Sequence, residues 1–377
     1  MKKIFLMVLI ISLGVLAGCD KKTKPEPKTP LTPVEDCSVP TLDGGWVCQW
    51  ADEFDGDSVD ETKWNFEVNA SGGGNNELQY YTRNNTVVKD SILSIVAKKE
   101  SYGNRNYTSS RITTYLKGDF MYGRFQFRAK NPVGRGTWPA LWLMPTLSSY
   151  GGWPRSGEID VMEYVGYNPD YIFHTIHTEK FNHKAGTQVG GSKRLPTSNS
   201  EFHVYDLIWE PGELTWFIDG EETFRVRYQA ALNKDVPYYK AFPFDQKFFI
   251  IINLAIGGDW GGAQGVDDSI FPTTFEIDYV RYYKKDYNVL DKEKPGKVEG
   301  IDLAGIPNTI YWDVPEDDYA IEYYRIYIDD EYWEDARINQ YTFKDGIPGE
   351  TYRISIRAVD FTGKVGEKSV NFSLTYK

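Results

Sequence analysis

The sequence predicts an all-β protein built as two successive sandwiches, and three observations predict it. Between about residue 50 and residue 284, short apolar or aromatic runs alternate with Gly, Asn, Asp and Pro turns, without sustained helical periodicity. The run Asp291-Lys292-Glu293-Lys294-Pro295-Gly296 then reads as a charged linker. Beyond it, from Val298 to Lys377, about seven further short strand candidates follow, with Trp312 early and Tyr352 late, the latter placed for a tyrosine corner. No repeat of solenoid or propeller period is present. At 377 residues the length allows two or three domains. The expected boundaries are a leader at 1–18, a disordered tether at 19–40, a large sandwich at 41–286, a linker at 287–296 and a small sandwich at 297–377.

Taken in order, Met1-Lys2-Lys3 and the apolar run from Ile4 to Gly18 have the charged start and short hydrophobic stretch of a signal peptide, too short to span a bilayer. Leu16-Ala17-Gly18-Cys19 resembles a bacterial lipobox, which implies that Cys19 becomes the lipidated first residue of the mature chain. The charged stretch Asp20-Lys21-Lys22-Thr23-Lys24 resembles a surface-export signal of bacterial lipoproteins, so the expected location is the cell envelope, lipid-anchored to the outer membrane and surface-exposed. The Pro-rich segment to Pro33 continues it as a tether. Export implies an oxidising compartment, where Cys37 and Cys48 are expected to form a disulfide; two free thiols are the alternative. A net charge of -12, from 42 Lys and Arg against 54 Asp and Glu, argues against nucleic acid or an anionic membrane as a main partner. The aromatic content of 15%, with 11 Trp and 27 Tyr, suits stacking on sugar faces, although β-sandwich cores also use aromatics heavily.

The strand candidates of the large unit include 120–128, 202–209, 214–220 and 248–254. The chemistry concentrates in Gly157-Glu158-Ile159-Asp160-Val161-Met162-Glu163-Tyr164. Strand side chains alternate between faces, so Glu158 and Asp160 share one face, and Glu163 is out of phase with them. A β-bulge at Val161-Met162 restores the phase and puts all three carboxylates on one face. Three carboxylates on one face repel one another, which raises at least one pKa and favours a resting protonated acid near neutrality. That is the requirement of a retaining glycosidase: an ionised carboxylate as nucleophile and a protonated one for the leaving oxygen, their carboxyl groups roughly 5 Å apart. Glu158 is assigned as nucleophile, Glu163 as acid/base, and Asp160 as the group that tunes Glu158.

Glu-Ile-Asp-Val-Met-Glu, preceded by Arg135-Gly136-Thr137-Trp138-Pro139-Ala140-Leu141-Trp142-Leu143-Met144-Pro145, resembles the signature of glycoside hydrolase family 16. The extra residue before the last Glu resembles the laminarinase-like branch, and the resemblance runs from about Trp50 to Lys284. It implies a concanavalin-like β-jelly roll with a substrate cleft on its concave sheet. It also implies substrate-binding roles for Asn76 on a cleft wall, Arg111 on the floor, Trp138 and Trp142 beneath the sugar, His177 near the acid/base, and Trp260 at the rim. The family's usual Pro after that Trp is Gly261 here. Family members often hold a structural calcium, which implies the backbone carbonyls of Glu53 and Ser91 together with Asp278 as ligands, although Gly is usual near Ser91. No cofactor is implied for catalysis. The segment from His174 to His183 holds three of the chain's 4 histidines but lacks the spacing of a zinc site. Ser71-Gly72-Gly73-Gly74 lacks the Lys-Ser/Thr and the helix of a phosphate loop. The C-terminal unit resembles a fibronectin III domain in fold only.

The expected partner is a polysaccharide, a β-glucan containing β-1,3 linkages such as laminarin or mixed-linkage β-1,3/1,4-glucan. Two alternatives stand beside it. The same machinery serves agar, carrageenan or xyloglucan in this family, and sulfated galactans would call for cleft cations, for which Arg155 and Lys180 are the candidates. A surface glycan-binding protein without catalysis is the other, and retention of both Glu158 and Glu163 speaks against it.

Overall fold

The computed structural model describes residues 30–377; the leader, the lipidation site Cys19 and the first part of the tether lie outside the described residues. The described chain is all-β apart from single turns of helix, and its large unit is two stacked sheets. The front sheet has eight strands, with the order Val189–Arg194, Tyr171–His177, Glu158–Glu163, Thr137–Pro145, Phe248–Ile256, Arg111–Thr113 and Asn65–Phe66, and with Asp119–Phe120 also pairing to Phe248–Ile256. Nine strands form the back sheet, whose long central member Thr273–Lys285 pairs on one side with Gly123–Lys130 and on the other with Trp46–Asp52 and Ile92–Ala97 in turn. Every pairing within these two sheets is antiparallel.

Alternation explains the layering. In Gly123–Lys130 the residues Phe125, Phe127 and Ala129 are fully buried, and in Glu213–Ile218 so are Leu214 and Trp216. Together with Leu141, Leu143, Ile159, Ile250, Ile252 and Leu254 from the front sheet they form one core. Burying each such side chain contributes about 1.5–3 kcal/mol, so the front sheet's outer face can carry polar groups without endangering the fold. The candidate at 120–128 divides in two. Tyr122 and Gly123 take φ of 57° and 120°, which turns the chain from the front sheet at Asp119–Phe120 to the back sheet at Gly123–Lys130.

Two expected boundaries change. The tether expected for 19–40 ends earlier, because Leu31 donates its N–H to Asp286, Val34 donates to the Cys48 carbonyl at 3.1 Å, and Asp36 pairs with Lys63. Cys37 and Cys48 are joined by a disulfide that pins this segment beside Trp46 and Tyr283. Nor is 287–296 a free linker: it begins with the helical turn Tyr287–Leu290, Tyr287 stacks on Phe361 with centroids 4.4 Å apart, and Asp291 pairs with Lys364.

The C-terminal unit packs a three-stranded sheet, Asp302–Leu303, Thr309–Tyr311 and Gln340–Thr342, on a four-stranded one ordered Glu331–Ala336, Ile321–Ile328, Thr351–Asp360 and Phe372–Thr375. Trp312 is fully buried against Tyr324. The Tyr352 hydroxyl accepts the Ile347 N–H at 3.0 Å, the local tie expected of a tyrosine at that corner. Tyr311 and Ile338 belong to the large unit's core cluster, and Gln340 bonds the backbone of Tyr238 and Val236. The small unit is therefore docked on the large one.

Candidate active site

The acidic strand Glu158–Glu163 has apolar Ile159, Val161 and Met162 fully buried, while Glu158 and Glu163 remain partly open. Its pairing shows the bulge. Against Thr137–Pro145, Leu141 faces Met162 and Trp142 faces Asp160; against Tyr171–His177, Asp160 faces Thr175 and Glu163 faces Phe173. Two residues, Val161 and Met162, therefore stand opposite the single residue His174, and the strand resumes with Glu163 in phase with Glu158 and Asp160. All three carboxylates line one cavity, with Gly73, Asn75, Glu77, Arg111, Trp138, Ala140, Trp142, Asn253 and Ala255.

Each carboxylate is held by a different neighbour. Trp153 donates its indole N–H to Glu158 at 2.5 Å, and Asp160 hydrogen-bonds Glu158 from the next position on the same face. Trp138 donates to Glu163 at 3.1 Å. Burial raises all three acids. Glu158 is pushed up to about 7 against the lowering effect of Trp153, and Glu163 to about 8 by burial and then by the charge of Glu158. Asp160 is raised by burial and by both glutamates. One proton shared in this group is thus stable at neutrality, and its apparent pKa values belong to the group. The ordering, with Glu163 the weaker acid, matches a protonated Glu163 beside an ionised Glu158.

The remaining predicted residues divide. Arg111 lies on the floor, with its Nε 3.1 Å from Glu67 and its guanidinium stacked 4.8 Å over the Trp142 ring. Trp142 donates to Asn253 at 2.7 Å, and Asn253 donates to the Tyr81 hydroxyl, which in turn donates to Glu77. Trp138 does more than offer a ring, because its N–H reaches Glu163. Trp260 stands at the rim, edge-on to Trp138 at 5.6 Å and to Phe173 at 5.1 Å. Gly261 follows it because a Cβ there would lie 2.6 Å from both the Trp138 Cβ and the Gly257 carbonyl oxygen; the rim loop lies directly on Trp138.

Two expectations are corrected. Asn76 is not among the residues lining the cavity: at φ 58° its amide donates to Asp259, and its neighbour Asn75 lines the cavity instead. His177 stands at the Glu158 end of the strand, opposite Glu158 in register and 3.4 Å from Asp160, whereas Phe173 faces Glu163. Of the groups expected to hold calcium, the Asp278 carboxylate is paired with Arg128. Trp46–Asp52 and Ile92–Ala97, which flank Glu53 and Ser91, pair with successive parts of its strand, and the ion pair of Glu53 with Arg281 uses its carboxylate and not its backbone carbonyl. Among the described residues the metal-capable side-chain grouping is Glu158, Asp160 and His177, whose ligand atoms lie within 4.8 Å of one another. Burial and the nearby His183 lower His177 to about 4, so it is neutral beside the acids.

Sequence reading missed Trp153, Asn75, Glu77 and Asn253. Trp153 lies five residues before Glu158, and only the turn through 154–157 brings it back to that carboxylate.

Residues 51–281 match the family model described as glycosyl hydrolases family 16. A β-glucanase of Rhodothermus marinus is 46% identical over 245 residues, covering 63% of this chain and 85% of that protein. A glucan endo-1,3-β-glucosidase of Cryptopygus antarcticus is 39% identical over 251 residues, covering 63% of this chain and 92% of that protein. Among solved structures, the laminarinase from Rhodothermus marinus superimposes with a TM-score of 0.62 at 47% identity, covering 64% of this chain and 98% of that one. With the bulged acidic strand, its two glutamates in one cavity and this match over more than half its length, the chain belongs to glycosyl hydrolases family 16.

Proposed function

We propose that this protein is a retaining endo-acting glycoside hydrolase that cleaves internal bonds of β-glucans containing β-1,3 linkages, laminarin or mixed-linkage β-1,3/1,4-glucan. The observation that carries the reading is the bulge, which brings Glu158 and Glu163 into one cavity with different indole donors. Glu158 attacks the anomeric carbon while Glu163 gives its proton to the departing oxygen. Glu163 then takes a proton from the water whose oxygen displaces Glu158. Asp160 shares a hydrogen bond with Glu158 and modulates its charge. Catalysis by this family needs no cofactor. The printed activities of the relatives, β-glucanase, glucan endo-1,3-β-glucosidase and laminarinase, support the polymer class.

The cleft's charge favours a neutral glucan over a sulfated galactan. Arg155 lies 3.9 Å from Glu179, and Lys180 pairs with Asp235 at 3.2 Å, so both cationic candidates already have anionic partners. Beyond the catalytic unit, the reading includes a lipid anchor on Cys19 that holds the enzyme on the cell envelope, facing outward. It also includes a fibronectin III-like C-terminal domain, supported by the three-plus-four strand arrangement and the Tyr352 tie.

The test is product analysis of the protein begun after Cys19 on laminarin, mixed-linkage glucan, xyloglucan, agarose and carrageenan, with Glu158→Gln as control. Shortening of a β-1,3-containing glucan, with the first-formed products in the β configuration and an inactive control, is expected. Equal binding by both proteins without cleavage would replace this reading with glycan capture.

A further inference from the structure

The bulge that aims Glu163 leaves a backbone group without a ladder partner. Where Val161 and Met162 together face His174, the strand pairs regularly at Asp160 with Thr175 and again at Glu163 with Phe173. A buried carbonyl without a partner costs about 1–3 kcal/mol. Here side chains meet two carbonyls of this stretch. The His174 ring places Nδ1 2.7 Å from the Val161 carbonyl oxygen, and Trp216 donates its indole N–H to the Asp160 carbonyl at 2.9 Å. Trp216 belongs to Glu213–Ile218 in the back sheet, so this second bond crosses the sandwich.

The ring's state follows from its contacts. The Val161 carbonyl only accepts, so Nδ1 carries the hydrogen. Burial lowers His174 to about 4, so the ring is neutral at neutral pH and Nε2 is an acceptor. The Thr223 hydroxyl, 2.9 Å from Nε2, therefore donates to it in preference to the Trp216 carbonyl at 3.3 Å. Thr223 lies on the back-sheet strand Glu221–Arg227, so two back-sheet residues meet at the one irregular point of the catalytic strand.

We propose that His174, oriented by Thr223 and assisted by Trp216, is a positioning residue that holds the Val161–Met162 bulge and thereby aims the acid/base Glu163, without touching substrate. The inference rests on the glycosidase reading above. Its logic is one of register: without the extra residue, side chains after it move to the opposite face, while those before it stay. Glu158 and Asp160 precede the bulge and remain paired with His177 and Thr175; Glu163 follows it and is the carboxylate that moves.

This separates the proposal from a general loss of stability. An aryl glycoside that releases dinitrophenolate needs no proton at the departing oxygen, so attack by Glu158 survives a displaced Glu163. Breakdown of the glycosyl-Glu158 ester does need Glu163, because the attacking water must lose a proton as its oxygen bonds to the anomeric carbon. His174→Phe and His174→Gln are compared with His174→Asn, whose amide can still present an N–H near the position of Nδ1. On glucan, the Phe and Gln variants are expected to lose about 100-fold in kcat with KM within about twofold, the scale of a roughly 1 Å misplacement. On the dinitrophenyl glycoside they keep a near-wild-type burst followed by slow turnover. His174→Asn is expected to stay within about fivefold of wild type on both substrates. Wild-type turnover in His174→Phe, or burst and turnover falling together in proportion to the folded fraction, overturns the proposal. Should His174→Phe fail to fold, Trp216→Phe carries the test: it keeps a ring in the core, removes the N–H to Asp160, and is expected to show the same split, with unaltered turnover counting against the inference. A wild-type protein that cleaves no glucan and gives no burst overturns the glycosidase reading itself, which is a different result from active wild type with indistinguishable variants.

Discussion

At the scale of single residues, the arrangement of the carboxylates fixes how the protein responds to pH. The proposed mechanism needs Glu158 ionised and Glu163 protonated, and burial pushes these to about 7 and about 8. The profile of kcat/KM is therefore expected to be a narrow bell with its maximum between those values, read by initial rates on laminarin from pH 4 to 10. Trp153→Phe removes the hydrogen bond that favours the ionised form of Glu158. The acid limb should move to higher pH and kcat/KM should fall by about tenfold or more. The same shifts act on stability. Glu163 has a folded pKa above its unfolded one, so its stabilisation is fully present below the unfolded value and is lost as pH rises through the folded value. Glu163→Gln, which cannot ionise, is therefore expected to be inactive on glucan yet more stable than wild type above pH 8. The gap should widen between about pH 4.3 and pH 8 and reach at least about 5 °C in Tm at pH 9. A Tm difference independent of pH would contradict the buried-acid account.

At the scale of elements, what could be seen in the sequence depended on whether the signal was local. The bulge was legible because strand alternation has period two, and one surplus residue between Asp160 and Glu163 breaks the phase visibly. The pairing of Cys37 with Cys48 was legible from export and cysteine count, and the disulfide between them ties the segment before the first long strand to that strand. Removing it with Cys37→Ser and Cys48→Ser together is expected to cost about 3 kcal/mol, or about 6–12 °C in Tm, with activity at 25 °C unchanged; melting curves with and without reductant check this. Loop direction was not legible. Asn75 and Asn76 are chemically identical neighbours, and only the left-handed backbone at Asn76 decides which of them faces the cleft. His174 and Trp216 were invisible for another reason. His174 bonds the Val161 carbonyl across neighbouring strands of the front sheet and Trp216 bonds the Asp160 carbonyl from the back sheet, contacts that exist only once the sheets are formed and stacked.

At the scale of the whole molecule, the two sandwiches were legible but their union was not, because the residues that join them are scattered through both units. Gln340 bonds the backbone at Tyr238 and Val236, the Gly305 N–H donates to the Lys234 carbonyl at 2.8 Å, and Phe361 stacks on Tyr287 while meeting Tyr122 edge-on at 6.3 Å. Tyr311 and Ile338 extend the large core into the small unit, whereas Val298, Trp312, Tyr324 and Ile356 form the small unit's own core. A domain hung on a free linker melts independently, whereas one that shares apolar packing and buried backbone hydrogen bonds with its neighbour melts together with it. Calorimetry of residues 30–377 is therefore expected to give one cooperative transition. Phe361→Ala removes the partly buried ring that bridges Tyr122 and Tyr287 and should destabilise by about 1–3 kcal/mol, less than truncating a fully buried aromatic. Combined with Gln340→Ala, which strips the backbone bonds at Tyr238 and Val236, it should split the transition in two, with the glucanase activity lost only at the second. Two separate transitions in the unaltered chain would show that the contacts between the sandwiches contribute little. In that case the small unit would be free to move as a spacer.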